Sequence, residues 1–198
     1  GNMEVDYNKL DVKYKKAESR LHSVFGSFGT LYAIRKSCYI HLPSHIISDF
    51  VEPSLQLIKG YGNIFEIDAV SYEEVNASLQ DELKRKTRIV LRSLYGYFYL
   101  IKSGLFKKPL LFIHSLFRKF LRWLLPLQFG LALVSLGFYL FFLHSHIFLA
   151  YCGSIGLLIP LSIYSYLKGS GKNIIFKLLS YIIILNSSIV IAFIKFFK

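Results

Sequence analysis

The sequence predicts an α/β cytoplasmic part, then amphipathic helices at a membrane surface, then three transmembrane helices. Three observations lead there. Residues 123–167 contain no Lys, Arg, Asp or Glu; one helix crosses the hydrocarbon core in about 20 residues, so this stretch has the length of two crossings and a turn. Charge is divided along the chain. All twelve acids fall between Glu4 and Glu82 beside eight Lys/Arg, a net −4, whereas the sixteen Lys/Arg from Lys84 onward meet no acid, a net +16. Hydrophobic residues make up 54% of the 198 and charged ones 18%, against about 45–50% and 25% in soluble domains. That composition excludes a disordered chain and argues against an ordinary soluble domain.

Each element has its own justification. Residues 7–21 carry Tyr7, Leu10, Tyr14, Ala17 and Leu21 at helical spacing. Residues 23–35 are rich in Phe, Val, Tyr and Ile around Gly26 and Gly29, which reads as a glycine loop entering a strand over 30–34. After a loop around Pro43, Ser48 or Asp49 starts a helix carrying Leu55 and Ile58; Gly60 and Gly62 end it before a second strand over 64–70. Asn76 to Ser78 begin a long helix reaching Tyr99. Ser78-x-x-Asp81 is its capping box, and Asp81 and Glu82 sit in the first turn, where the helix dipole favours them. Ser103-Gly104 and Pro109 make a turn. Beyond it His114, Arg118 and Arg122 recur four apart on one face, while Leu110, Ile113, Phe117 and Leu121 line another, the pattern of a helix in the membrane interface. Crossings over 124–143, 147–167 and 174–194 follow. The first two join at His144-Ser145-His146, and Lys177 snorkels to the headgroups from within the third. The domain division is therefore 1–100, 101–122 and 123–198.

Orientation follows from the short basic flanks. Lys102, Lys107, Lys108, Arg118, Lys119 and Arg122 precede the first crossing, and the 144–146 turn has no permanent charge. This places the chain in the plasma (inner) membrane, multi-pass, with residues 1–122 cytoplasmic and Lys195 and Lys198 outside. The basic stretch from Lys84 to Trp123, though interleaved with aromatics, runs directly into a crossing, so anionic lipid and not nucleic acid is its expected partner. The first 20 residues are polar and do not read as a secretory signal. Cys38 and Cys152 fall on different sides of the membrane boundary and are expected to stay as thiols. His144 and His146 read as interfacial histidines.

Few residues suggest chemistry unaided. Asp49, at a helix start after a loop, is either an N-cap or a positioned carboxylate. Arg85 and Arg88 are either the ordinary positive charge of a cytoplasmic flank or cations for a phosphate. Gly29 and Tyr32 are either a turn and a core tyrosine or groups that approach a ligand. There is no phosphate-binding glycine loop, since Gly26-x-x-Gly29 alone is weak. No Asp-x-Asp and no set of metal ligands is present.

Taken together, the segments resemble the second half of a membrane-embedded family 2 glycosyltransferase of the cellulose synthase and hyaluronan synthase type. Tyr7-x-x-Leu10-Asp11 leading to Glu18-Ser19 is similar to that family's Tyr-x-x-Tyr-Glu helix. Gly26-Ser27-Phe28-Gly29-Thr30-Leu31-Tyr32-Ala33-Ile34-Arg35-Lys36 resembles its acceptor-side loop and strand. Ile47-Ser48-Asp49-Phe50-Val51-Glu52-Pro53 resembles the segment holding its catalytic base. Glu73, Glu74 and Arg85-Lys86-Thr87-Arg88-Ile89 stand where the family has an acidic pair and a Gln-x-x-Arg-Trp motif, and Arg118 to Pro126 resembles its interfacial helix. Ser48 replaces the first aspartate of the base motif, Arg85 the glutamine and Ile89 the tryptophan. The donor-binding Asp-x-Asp has no counterpart.

The resemblance implies the acceptor-side half of a GT-A-type domain and an inverting glycosyltransferase, which moves sugar from a nucleotide sugar to a glycan or lipid-linked acceptor. Asp49 would be the base, and Gly29, Tyr32, Arg85 and Arg88 would bind substrate. The complete enzyme would need a divalent metal, Mg or Mn, whose ligands lie outside this chain, together with a donor-binding half upstream or on a separate subunit. The alternative is a non-catalytic membrane-anchoring subunit or a truncated remnant.

Overall fold

A computed structural model describes residues 3–21, 23–72, 79–143, 145–168 and 174–198. Helices make up its regular structure: α1 (Met3–Leu21), α2 (Ser48–Ile58), α3 (Leu79–Lys102), α4 (Pro109–Ser115), a π-turn (Leu116–Phe120), the single turn α5 (Leu121–Trp123), α6 (Leu125–Leu143), α7 (Ser145–Lys168) and α8 (Ile174–Phe196). Among the described residues there is no β-strand. This corrects the α/β expectation and with it the half GT-A domain.

The reason lies in where the backbone bonds of the two anticipated strands go. Residues 30–34 and 64–70 are irregular or bent, but side chains tie their neighbourhoods down. Ser23 Oγ donates to the Asn63 carbonyl and accepts its N–H (3.0 and 2.6 Å), and Asn63 Nδ2 donates to the carbonyls of Val24 and Pro53 (3.1 and 2.9 Å). The Phe65 N–H goes to Ser19 Oγ at 3.0 Å. One backbone bond, Val24 N–H to the Asn63 carbonyl, joins the chain just ahead of the two segments. Two strands without a third are marginal in water, and here the side chains win the competition for the backbone.

The core sits where α2 crosses α3. Phe50, Val51, Ser54 and Leu55 form the buried stripe of α2, joined by Phe25, Ile46, Leu94, Tyr97, Leu100, Leu105 and Trp123. Gly96 lets the helices touch: a Cβ there would lie 2.5 Å from Val51 Cγ2. After α3, Gly104 takes φ +101° and turns the chain. Pro109 opens α4, where its missing N–H is harmless. The anticipated start of α3 at Asn76 to Ser78, and with it the capping box, lies outside the described residues.

The three anticipated crossings are also corrected. Among the described residues one helix, α6, is both long and apolar enough to span a membrane; the apolar stretches of α7 and α8, His146–Leu157 and Ser180–Phe196, are shorter. Helix α6 and α7 form an antiparallel hairpin. Tyr151 Oη donates to the Leu133 carbonyl at 2.6 Å, Gly137 faces the Tyr151 ring, and Phe141 meets Phe148. Helix α8 is different, because it lies along α3. Lys86 Nζ sits 5.3 Å from the Tyr181 ring centroid, and Tyr95 and Phe98 meet Phe196 at 4.9 and 5.3 Å, so the two helices run parallel. Ser180, Ile184, Ser188 and Ala192, spaced four apart on α8, are buried, and small residues at that spacing allow close helix approach. Packed on α3 and also on α7 and α6, α8 has part of its apolar surface covered by protein, which its sequence does not reveal.

Candidate functional site

The site is built from a missing hydrogen bond. Pro53 lies inside α2 and has no N–H, so the Asp49 carbonyl four residues earlier loses its helical donor. Ser27 supplies two in its place: its N–H and its Oγ both donate to the Asp49 carbonyl at 2.8 Å. The preceding Gly26, at φ +83°, turns the loop into reach. Its carbonyl accepts from the buried Lys15 Nζ at 3.0 Å. Gly29 then passes so close that a Cβ would lie 2.7 Å from Asp49 Oδ2. Asp49 and Gly29, distant in sequence, thus share one site.

Asp49 stands in the first turn of α2, but the cap residue is Ile47 and no side chain caps the helix. Its Oδ1 is buried without a hydrogen-bond partner. Burial raises its pKa above the usual carboxylate range. The charge of Lys119, the Phe50 N–H, Lys15 and Arg92 pull it partway back. Tyr32 lies one helical turn along, where its hydroxyl donates to the buried Glu52 carboxylate at 2.9 Å. Burial chiefly, and Glu52 with it, hold the phenol above its ordinary value.

Arg85 and Arg88 are placed otherwise. Arg85 forms a forked pair with Glu82 at 3.1–3.2 Å, and Lys86 joins the same carboxylate at 2.9 Å. Arg88 is exposed on α3. Neither is among the cations acting most strongly on Asp49.

Beside the Asp49 loop is a cavity of 530 Å³ whose lining includes Lys15, Phe28, Tyr32, Asn63, Phe65 and Glu66, a size suited to a small ligand. Phe28 and Phe65 meet edge to face with centroids 6.0 Å apart, and Lys15 Nζ lies 4.6 Å from the Phe28 ring centroid. The loop carrying Gly29 therefore faces Asp49 on one side and this cavity on the other.

No family model, curated protein or solved structure matches the chain. What the site can do rests on its own geometry.

Sequence reasoning missed an ionic clamp over the site. Glu18 on α1 accepts from Arg118 Nε (3.2 Å), pairs with His114 Nε2 (3.1 Å) and receives the Phe25 N–H at 3.5 Å; Arg118 also meets Asp11 at 3.5 Å. Burial works against the Glu18 carboxylate, but the bond to His114 and the charge of Arg118 outweigh it and hold its pKa below the ordinary range. The four-residue spacing of His114 and Arg118 predicts a polar face toward headgroups; in the structure that face turns to α1. The other half of that pattern faces outward, with Leu110 84% and Phe117 66% exposed.

A divalent metal finds no seat here. Among the described residues no group of three or more His, Cys, Asp or Glu comes together. The ammonium groups of Lys119 and Lys15 and the Arg92 guanidinium, which act on Asp49, repel a cation.

Proposed function

We propose that the chain is the acceptor-side, base-bearing part of a membrane-bound inverting glycosyltransferase, using a nucleotide sugar as donor and a glycan or lipid-linked acceptor. The observation that carries this is Asp49: a carboxylate with one orphaned oxygen, a raised pKa and a glycine pressed against the other oxygen. A base of that kind takes a proton more readily than an ordinary aspartate.

The acceptor hydroxyl attacks the anomeric carbon and its proton passes to Asp49 as the new C–O bond forms. The nucleoside diphosphate leaves from the opposite face with the electron pair of the broken bond. Arg88 and Arg85 are assigned to the diphosphate, Gly29 and Tyr32 to the acceptor. The donor site belongs to a further part of the same reading frame or to a separate subunit. This reading puts the protein in the plasma membrane with residues 1–122 on the cytoplasmic side; one helix, α6, is long and apolar enough to cross it among the described residues.

A second reading, a membrane-anchoring subunit without chemistry, is favoured by the outward apolar face of Leu110, Ile113 and Phe117. One experiment separates the two: transfer of radiolabelled sugar by membranes holding this chain with its donor-binding partner, with and without Asp49→Asn. Loss of a base costs roughly 100- to 10,000-fold, and that fall is expected at normal membrane levels. Retention of more than about a tenth of the activity, far above that range, leaves Asp49 without a chemical role and favours the anchor. The chain alone is expected to transfer no sugar.

A further inference from the structure

The cavity of 530 Å³ beside the Asp49 loop is lined by polar side chains whose donors are nearly all spent. Tyr32 gives its hydroxyl proton to Glu52 at 2.9 Å. Asn63 Nδ2 gives its two to the carbonyls of Val24 and Pro53, and Ser27 Oγ donates to the Asp49 carbonyl. Lys15 differs. It lines the same cavity and is only 4% exposed, and an ammonium carries three donors. One of them goes to the Gly26 carbonyl at 3.0 Å. The Phe28 ring centroid, 4.6 Å from Nζ, adds a cation–π contact. Among the described residues no carboxylate comes within 4.0 Å of this ammonium. A buried cation with donors to spare favours an anion beside it.

The walls define the rest of the ligand. Phe28 and Phe65, edge to face at 6.0 Å, supply aromatic surface, and Leu31 and Ile64 carry apolar lining out to solvent. The other polar lining residues, Thr30, Glu66 and Ser71, are exposed and so belong to the mouth. Asp11, Glu18 and Asp49 act on Lys15 from a distance and repel a doubly charged group such as phosphate, so the anion that fits carries one charge. We propose that this cavity is a binding site for a monocarboxylate borne on an apolar ring, with the carboxylate received by Lys15 and the ring packed among Phe28 and Phe65. The site does not rest on the glycosyltransferase reading, whose base lies on the other side of the Gly29 loop.

The test is equilibrium dialysis of labelled phenylacetate against the purified full chain in lipid nanodiscs at neutral pH. Empty nanodiscs are subtracted, and no nucleotide sugar or partner is present. Saturable binding is expected. Phenylacetamide, which keeps the ring and loses the charge, should bind about tenfold more weakly or worse, as loss of a hydrogen bond between charged groups implies. Lys15→Met should bring the acid down to the level of the amide. Phe65→Ala should weaken both alike and keep the preference, so it and the parent chain carry the test if Lys15→Met does not fold. Absence of saturable binding, equal binding of acid and amide by the parent, or a preference that survives in folded Lys15→Met overturns the site. Glucuronate bound as well as phenylacetate overturns the apolar ring, and displacement of phenylacetate by an equal concentration of inorganic phosphate overturns the single charge.

Discussion

At the scale of single residues, the Asp49 site carries a stability cost that pH exposes. The folded state holds the Asp49 pKa above its ordinary value of 3.8, so the fold prefers the protonated acid. That preference is fully present below 3.8 and is lost as pH rises through the folded value. Asp49→Asn should therefore raise the thermal midpoint of the chain at pH 7 and give no such gain below about pH 3.8, read by melting in detergent at the two pH values. Gly29→Ala tests the neighbouring contact. Its Cβ, 2.7 Å from Asp49 Oδ2, displaces the carboxylate, and misplacement by about 1 Å costs on the order of 100-fold in rate; a melting midpoint near the parent value would locate the loss in geometry. Asp49 itself was legible as a candidate because a loop followed by Ser-Asp at a helix start leaves few roles open. Lys15 was not, because among Lys13, Lys15 and Lys16 nothing in the sequence distinguishes the one that is buried.

At the scale of elements, the helices were legible and the strands were not. Residues 7–21 and 48–58 carry their period in the spacing of Leu10, Tyr14 and Ala17 and of Val51, Leu55 and Ile58, and both are helical. The segments over 30–34 and 64–70 have the composition of strands, but strand formation depends on partners that composition does not reveal. The clamp between α1 and α4 makes a further prediction. With the Glu18 carboxylate held below its ordinary value of 4.5, its contribution is present above that value and is lost as pH falls through the lower folded one. Acidification below about pH 4.5 should loosen α1 from α4, seen as faster amide exchange over 10–20. Glu18→Gln should show that exchange already at pH 7 and lose most of the acid dependence.

At the scale of the whole molecule, hydropathy named the apolar helices and missed which of them is covered by protein. Residues 174–194 read as a crossing because they contain a single lysine, whereas α8 is docked on α3. If α3 lies on the cytoplasmic side and the α6–α7 hairpin returns there, reporters fused after Lys172 and after Phe196 should both read cytoplasmic, and one after His146 external. An external signal after Phe196 would restore the third crossing. The same docking has a consequence for biogenesis. Roughly 70 residues separate the end of α3 from the start of α8, and at about 5–20 residues per second a ribosome needs several seconds to bridge them. Through that interval the surface of α3 that will receive α8 is bare while α6 and α7 are being made. The nascent chain is most open to capture by chaperones or proteases then, and ribosome stalling between codons 103 and 173 should lower its yield more than stalling earlier.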